Sequence, residues 1–294
     1  MIRKILSILI PLQVRKILFP WRYRQRQVTR QFVTVKDRIA GRPMKVFVRE
    51  DSSIELRIVT KGLYGDWEKE SLKIWAALAQ RSEIIIDIGA NTGMYSLVAS
   101  NNNMKGTVVA IEPIEVNYSV LLSNIRENGF NIKAERVALS DKEGTAKMFM
   151  LKDKLNYMTS INDNRYDKHP EIRGKDEVVE VEVPMKVFAY IEGKYHLEKI
   201  DLIKIDVEGH EIAVLNSMWE SITRSRPAIL IEIIGDENAR TLNQMFTPLG
   251  YKFISIDEQT TSRVVPSLWD NDHHNFLVCG DEIVTLLKGK GLVK

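Results

Sequence analysis

From residue 83 onward the chain alternates between two apolar patterns. Short, nearly unbroken apolar runs recur at 84–88, 107–111, 132–140, 200–207 and 227–234. Between them, at 92–100, 115–128, 211 to about 219, and 237–247, apolar residues return every three or four positions. The runs have the length of buried strands, and the intervening stretches have a helical period. Strands apolar on both faces, alternating with helices, predict an α/β fold built on a mostly parallel sheet covered on both sides. Ligands of such sheets sit beyond the carboxyl ends of the strands, near the point where the strand order reverses.

The flanks are less regular. Residues 42–51 read as a short strand. Residues 66–80 read as a helix with Leu72, Trp75, Ala76 and Ala79 on one face. After 140 the rhythm breaks: 144–151 predicts an extra strand, 152–176 is polar and irregular, and 177–185 alternates like a half-exposed strand. A short helical stretch over 185–192 follows. The segments 251–257 and 274–280 predict an antiparallel closing pair. No internal repeat or low-complexity tract interrupts this order. One domain is expected over 41–294, with its core motifs in 84–235 and an N-terminal extension over 1–40. A chain of 294 residues is long enough to bury a sizeable core.

Charge separates the extension from the body. Residues 1–38 hold ten Lys/Arg against one acid, Asp37, a net +9, which leaves the remainder at −6 within a total of +3. An acidic body argues against nucleic acid as a partner. The run Ile5–Leu12 is interrupted by Pro11 and lacks a small-residue cleavage site, so it makes a poor secretory signal. It is also too short and charged to span a bilayer. Ile, Leu, Phe and Trp beside Arg and Lys suit an interfacial segment, or a helix docked on its own domain. The expected location is cytoplasmic, with peripheral contact to an anionic membrane through residues 1–38. The single cysteine, Cys279, allows no intrachain disulfide.

The most informative stretch is IIIDIGANTGMYSL, 84–97. An apolar strand ends in Asp87, and a loop with Gly89, Asn91 and Gly93 leads into a helix. The dinucleotide fingerprint is G-x-G-x-x-G, whose second glycine lets the backbone approach a pyrophosphate. Here asparagine occupies that place and no third glycine is in register. A ligand without a pyrophosphate makes fewer demands on the loop, and an acid beside it suits a cationic group. S-adenosylmethionine meets both conditions. The next strand ends in Glu112, 23 residues after Gly89, the placement of an acid that accepts both ribose hydroxyls. The third run ends in Ser140 and Asp141, placed to face an adenine edge.

Five pieces, IIIDIGANTGMYSL, VVAIEPIEVNYSVLLSNI, VALSD, IDLIKIDVEGHEIAVLNSM and RPAILIEI, occur in that order and resemble the FkbM family of S-adenosylmethionine-dependent methyltransferases. The likeness covers about 84–235, with HNFLVC (274–279) as the closing strand. It implies a Rossmann-like class I methyltransferase fold: a mostly parallel seven-stranded sheet with helices on both faces and an antiparallel closing strand. It also implies O-methylation, commonly of a glycan, glycolipid or secondary-metabolite hydroxyl. Residues 1–65 and 152–176 match nothing nameable, so the acceptor stays open.

A second charged cluster, KIDVEGHE (204–211), follows the next strand. Extended alternation would put Lys204, Asp206 and Glu208 on one face. Transfer to an alcohol needs its proton removed, and Asp206, Glu208 and His210 are the available bases; His210 has the best intrinsic pKa at neutral pH. Asp206 could instead orient the hydroxyl or the sulfonium. No metal site is expected. HE at 210–211 lacks the second histidine of a zinc-protease helix, and Asp270, Asp272, His273 and His274 read as a turn before a strand. Trp67 and Glu68 are candidates to close over the cofactor or sugar, and Met94–Ser96 to line the pocket. Two rival readings are an NAD-linked oxidoreductase of similar topology, disfavoured by Asn91, and a non-catalytic cofactor-binding protein held at a membrane.

Overall fold

The computed structural model describes residues 31–155, 159, 161, 167, 174–270 and 275–294. The first 30 residues of the basic extension, and Asp272, His273 and His274, lie outside the described residues.

The body is an eight-stranded sheet. Five strands run parallel: β3 (Ile84–Ile88), β4 (Thr107–Ile111), β5 (Ile132–Glu135), β9 (Leu202–Ile205) and β10 (Ala228–Glu232). Their spatial order is β10-β9-β3-β4-β5, so the order reverses between β3 and β9. Beyond β10, β13 (Asn275–Cys279) inserts antiparallel between β10 and β11 (Lys252–Ser255), giving the expected closing pair. These seven strands match the expected arrangement; the three-residue β12 (Arg263–Val265) adds an eighth at the edge.

Side chains of successive strand residues enter opposite layers. Ile85, Val108 and Leu202 join a core built with α2 (Lys69–Ala79), α3 (Met94–Asn102), α4 (Glu115–Asn128) and α8 (Asp281–Gly289). Ile86, Val109 and Ile203 join the other, with α5 (Phe188–Tyr195), α6 (Glu211–Ser225) and α7 (Asp236–Phe246). Burial on both faces explains why these strands read as continuous apolar runs rather than alternating ones.

Several elements depart from the pattern. The 132–140 run is two strands. β5 stays in the main sheet, whereas β6 (Ala138–Leu139) joins β8 (Val178–Lys186) and β7 (Gly144–Leu151) in a separate three-stranded sheet. Apolar periodicity reports burial and not partner, so the switch at Arg136 and Val137 left no mark. This corrects the placement of Ser140 and Asp141: they follow β6, while the third main-sheet strand ends at Glu135. α6 runs to Ser225, well past Trp219. The elements β1 (Gln31–Asp37), α1 (Ser53–Lys61), β12 and α8 had no counterpart in the sequence pattern.

β1 pairs antiparallel with β2 (Arg42–Val48), a hairpin that straddles residue 40. Side-chain amides pin it to the body: Asn124 accepts the Phe47 N–H and Asn128 accepts that of Lys45. Among the described residues no helix is long and apolar enough to cross a membrane.

Candidate functional site

The carboxyl ends of β3, β4 and β9 open into a cavity beside the reversal point. Gly89, Asn91, Glu112, Asp206, Glu208 and His210 line it, and the small sheet supplies Met148 from above. Asp87, Gly93, Ser140 and Asp141 do not reach its wall.

Glu112 is held in one orientation. Its Oε2 accepts the Asn91 N–H at 2.9 Å, and its Oε1 accepts that of Ile114 at 2.9 Å. Asn91 donates from a left-handed conformation (φ 52°), which asparagine tolerates better than most residues. The residue is 5% exposed. Burial pushes its pKa up to about 7 against these hydrogen bonds. The Asn117 side chain is a third donor to the carboxylate, which leaves acceptor capacity for one more hydroxyl.

The two glycines serve packing. A Cβ on Gly89 would lie 1.8 Å from the Asp206 carbonyl oxygen, and the residue sits at φ 75°. Gly89 is therefore required by the adjoining turn after β9. Gly93 precedes α3 at φ 94°, where a Cβ would press on Leu121.

Asp87 is fully buried beneath the loop. Its Oδ2 accepts the Ser96 hydroxyl at 2.6 Å, and its Oδ1 accepts no hydrogen bond. Burial raises its pKa, opposed by the nearby Lys204 and by Ser96. The Lys204 ammonium bonds Asp206 Oδ2 at 2.8 Å and lies 4.8 Å from the centre of the Tyr95 ring. Burial disfavours its charge, but Asp206, Asp87 and Glu68 outweigh that and hold its pKa above normal. Met94, Tyr95 and Ser96 thus belong to the interior, not to the pocket lining. Trp67 packs edge-on to Tyr95, and Glu68 accepts the Tyr95 hydroxyl. Neither residue reaches the cavity. Burial pushes the Glu68 pKa up to about 7.

The KIDVEGHE segment gathers its acids by a turn rather than by extended alternation. β9 ends at Ile205; Glu208 then adopts φ 56° and Gly209 φ 97°. Glu211 closes the turn by accepting the Gly209 N–H at 2.9 Å and, more weakly, that of Val207. His210 is half-buried, and its Nε2 lies 3.0 Å from Ser140 Oγ. Ser140 also donates to Asp141 Oδ1 at 3.2 Å. The Ser140 hydroxyl thus sits between Asp141 and the imidazole, and the tautomer in which Nε2–H donates to Ser140 makes Nδ1 the basic nitrogen. Burial lowers the His210 pKa below 6.5, with Asp141 opposing.

Glu232, at the end of β10, carries no expectation from the sequence. Its carboxylate joins those of Asp206 and Glu208, with one oxygen from each within 4.8 Å of the others. The available signal was a lone charge in the apolar run 227–234. Asp270 lies apart from this group and accepts the Gly235 N–H at 3.1 Å.

The methyltransferase FkbM domain family matches residues 87–253. Methyltransferase sdnD of Sordaria araneosa is 27% identical over 195 residues, which cover 58% of this chain and 73% of that protein. The hexuronic acid methyltransferase AglP of Haloferax volcanii is 22% identical over 211 residues, covering 69% of this chain and 80% of that one. Among solved structures, methyltransferase FkbM from Methylobacillus flagellatus aligns with a TM-score of 0.42 at 15% identity, over 67% of this chain and 43% of that chain. The family match takes in the loop after β3, Glu112 and the turn after β9 together, and on it the chain belongs to the FkbM methyltransferases, enzymes that draw their methyl group from S-adenosylmethionine.

Proposed function

We propose that the enzyme O-methylates a hydroxyl of a glycan, glycolipid or secondary metabolite. The observation that carries this reading is the Ser140–His210 pair: a neutral imidazole with an oriented basic nitrogen, on the wall of the cavity that Glu112 also lines. A hydroxyl needs a base at neutral pH, whereas an already nucleophilic acceptor does not.

The donor set fits the cofactor. Glu112 offers a fixed, buried carboxylate with remaining acceptor capacity for a ribose hydroxyl. The carboxylates that do line the cavity, Asp206 and Glu208, suit a cationic ligand. Gly89, Asn91 and Gly93 shape the loop that holds Glu112. When bound, S-adenosylmethionine supplies a methyl group already activated by its sulfonium. His210 takes the acceptor's proton at Nδ1, while Ser140 and Asp141 hold its ring. Asp206 and Glu208 align the hydroxyl, and Lys204 keeps Asp206 in place. Alignment alone is worth several orders of magnitude in such displacements.

A relative that acts on a hexuronic acid supports a sugar-like acceptor. The basic extension points to an acceptor at a membrane surface on the cytoplasmic side. The experiment is transfer of labelled methyl from S-adenosylmethionine to a panel of sugar, glycolipid and phenolic hydroxyls, with amine and thiol acceptors alongside. Label should reach hydroxyls only, and transfer confined to amines or thiols would overturn the assignment.

A further inference from the structure

Asp206, Glu208 and Glu232 meet where β9 and β10 end. The parallel register sets Ile231 beside Ile205, which aligns the two strand ends, and the left-handed turn at Glu208 brings the third carboxylate round. One oxygen of each lies within 4.8 Å of the other two. Such closeness among like charges is unfavourable unless something positive stands between them. Lys204 offsets one of the three charges through Asp206. The neighbouring Glu211 adds a further acid.

A separate observation concerns Glu232 itself. Its Oε2 is withdrawn from solvent and accepts no hydrogen bond. Buried carboxylate oxygens ordinarily have a donor or a metal. An orphaned oxygen within a three-carboxylate cluster is what a ligand position looks like.

We propose that Asp206, Glu208 and Glu232 bind a divalent cation of the Mg²⁺ or Mn²⁺ type. All three donors are hard oxygens, which favours such ions over Zn²⁺ or Cu²⁺. Three carboxylates leave coordination positions open, and Asp206 and Glu208 line the cavity that His210 also lines. The cation therefore has a place for the acceptor oxygen. That role rests on the hydroxyl-acceptor reading above; occupancy of the site does not.

Manganese chloride titrated into the whole 294-residue chain, with free Mn²⁺ followed by electron paramagnetic resonance, tests the site directly. One Mn²⁺ per chain is expected, displaced by excess Mg²⁺ and retained in the presence of S-adenosylhomocysteine. Glu232→Gln should weaken binding at least tenfold, and Glu232→Asp by less. A thermal shift with S-adenosylhomocysteine shows that each variant is folded. Absence of uptake by the wild type at pH 8 would overturn the proposal and leave a proton shared between the carboxylates. Equal affinity in wild type and Glu232→Gln would overturn it as well. So would displacement of Mn²⁺ by S-adenosylhomocysteine, which would make the cluster part of the cofactor pocket. Mn²⁺ uptake without methyl transfer to any hydroxyl would sustain the site and overturn the acceptor reading. Hydroxyl transfer indifferent to EDTA, without Mn²⁺ uptake, would do the reverse.

Discussion

Ser140 Oγ stands 3.0 Å from His210 Nε2, joining the small three-stranded sheet to the turn after β9. The bond helps to orient the imidazole at the mouth of α6. His210→Ala should lower kcat/KM by about 10²–10⁴-fold while S-adenosylhomocysteine binds as before. Ser140→Ala should cost about tenfold, the scale of one net hydrogen bond. Steady-state kinetics with isothermal titration of the product cofactor checks both. Equal turnover in all three proteins would assign proton removal to another group.

Glu112 titrates near neutrality in the ligand-free protein because burial raises its pKa to about 7. Its ionised form is the better acceptor for a ribose hydroxyl, so cofactor affinity should fall as the pH drops through 7 and level off above 8. Glu112→Ala should remove about 1.5–3 kcal/mol of binding. Titration of S-adenosylhomocysteine from pH 6 to 8.5 measures both effects, and a flat profile would exclude Glu112 from the ribose site.

The same shift has a sign for stability. A carboxyl whose pKa is higher folded than unfolded stabilises the protein at low pH, and the contribution is lost as pH rises through the folded value. Glu68 and Glu112 both titrate near 7. The melting temperature of the ligand-free protein should therefore decline between about pH 5 and 8. Glu112→Gln should flatten that decline in scanning calorimetry, since its amide does not titrate.

Gly89→Ala should abolish the folded protein or lower its melting temperature drastically, because the added Cβ would lie 1.8 Å from a backbone oxygen. Gly129→Ala makes the matching control. It too sits at positive φ (64°), as the cap of α4, but in open space. Only the left-handed penalty of about 1–2 kcal/mol applies there. Circular dichroism melts separate the two cases.

The basic extension should bind anionic vesicles in a salt-sensitive way and ignore neutral ones. Co-sedimentation of the full chain against one beginning at Gln31, where β1 starts, checks this. Equal, negligible pelleting of both would assign the extension to docking on its own domain.

The central sheet was legible because its strands are buried twice over. Ile84–Ile88 and Thr107–Ile111 coincide with their apolar runs to the residue. Glu112 was legible through its spacing from Gly89. What escaped depended on partners distant in sequence. The β5–β6 break needs β8, which lies some 40 residues on, to offer an edge. Ser140 is not at the sheet rim but behind His210, a relation that no local pattern encodes. Gly89 looked like a concession to a ligand, and its Cβ direction shows that it yields to Asp206. Glu232 went unnoticed because one acid in an apolar strand has no spacing to read.

The close approach of Gly89 to the Asp206 carbonyl joins the loop after β3 to the turn after β9, the two walls that the proposed function gives to donor and acceptor. Neither wall has room to shift while the other stays put. Reshaping this enzyme for a new acceptor would therefore fail when attempted at the strand ends, where every enlargement of one chamber is a collapse of the other. The freedom lies in the roof, around Met148, which touches the cavity without sharing a seam with Gly89. Diversity in what gets methylated should accumulate there, over a floor that hardly varies.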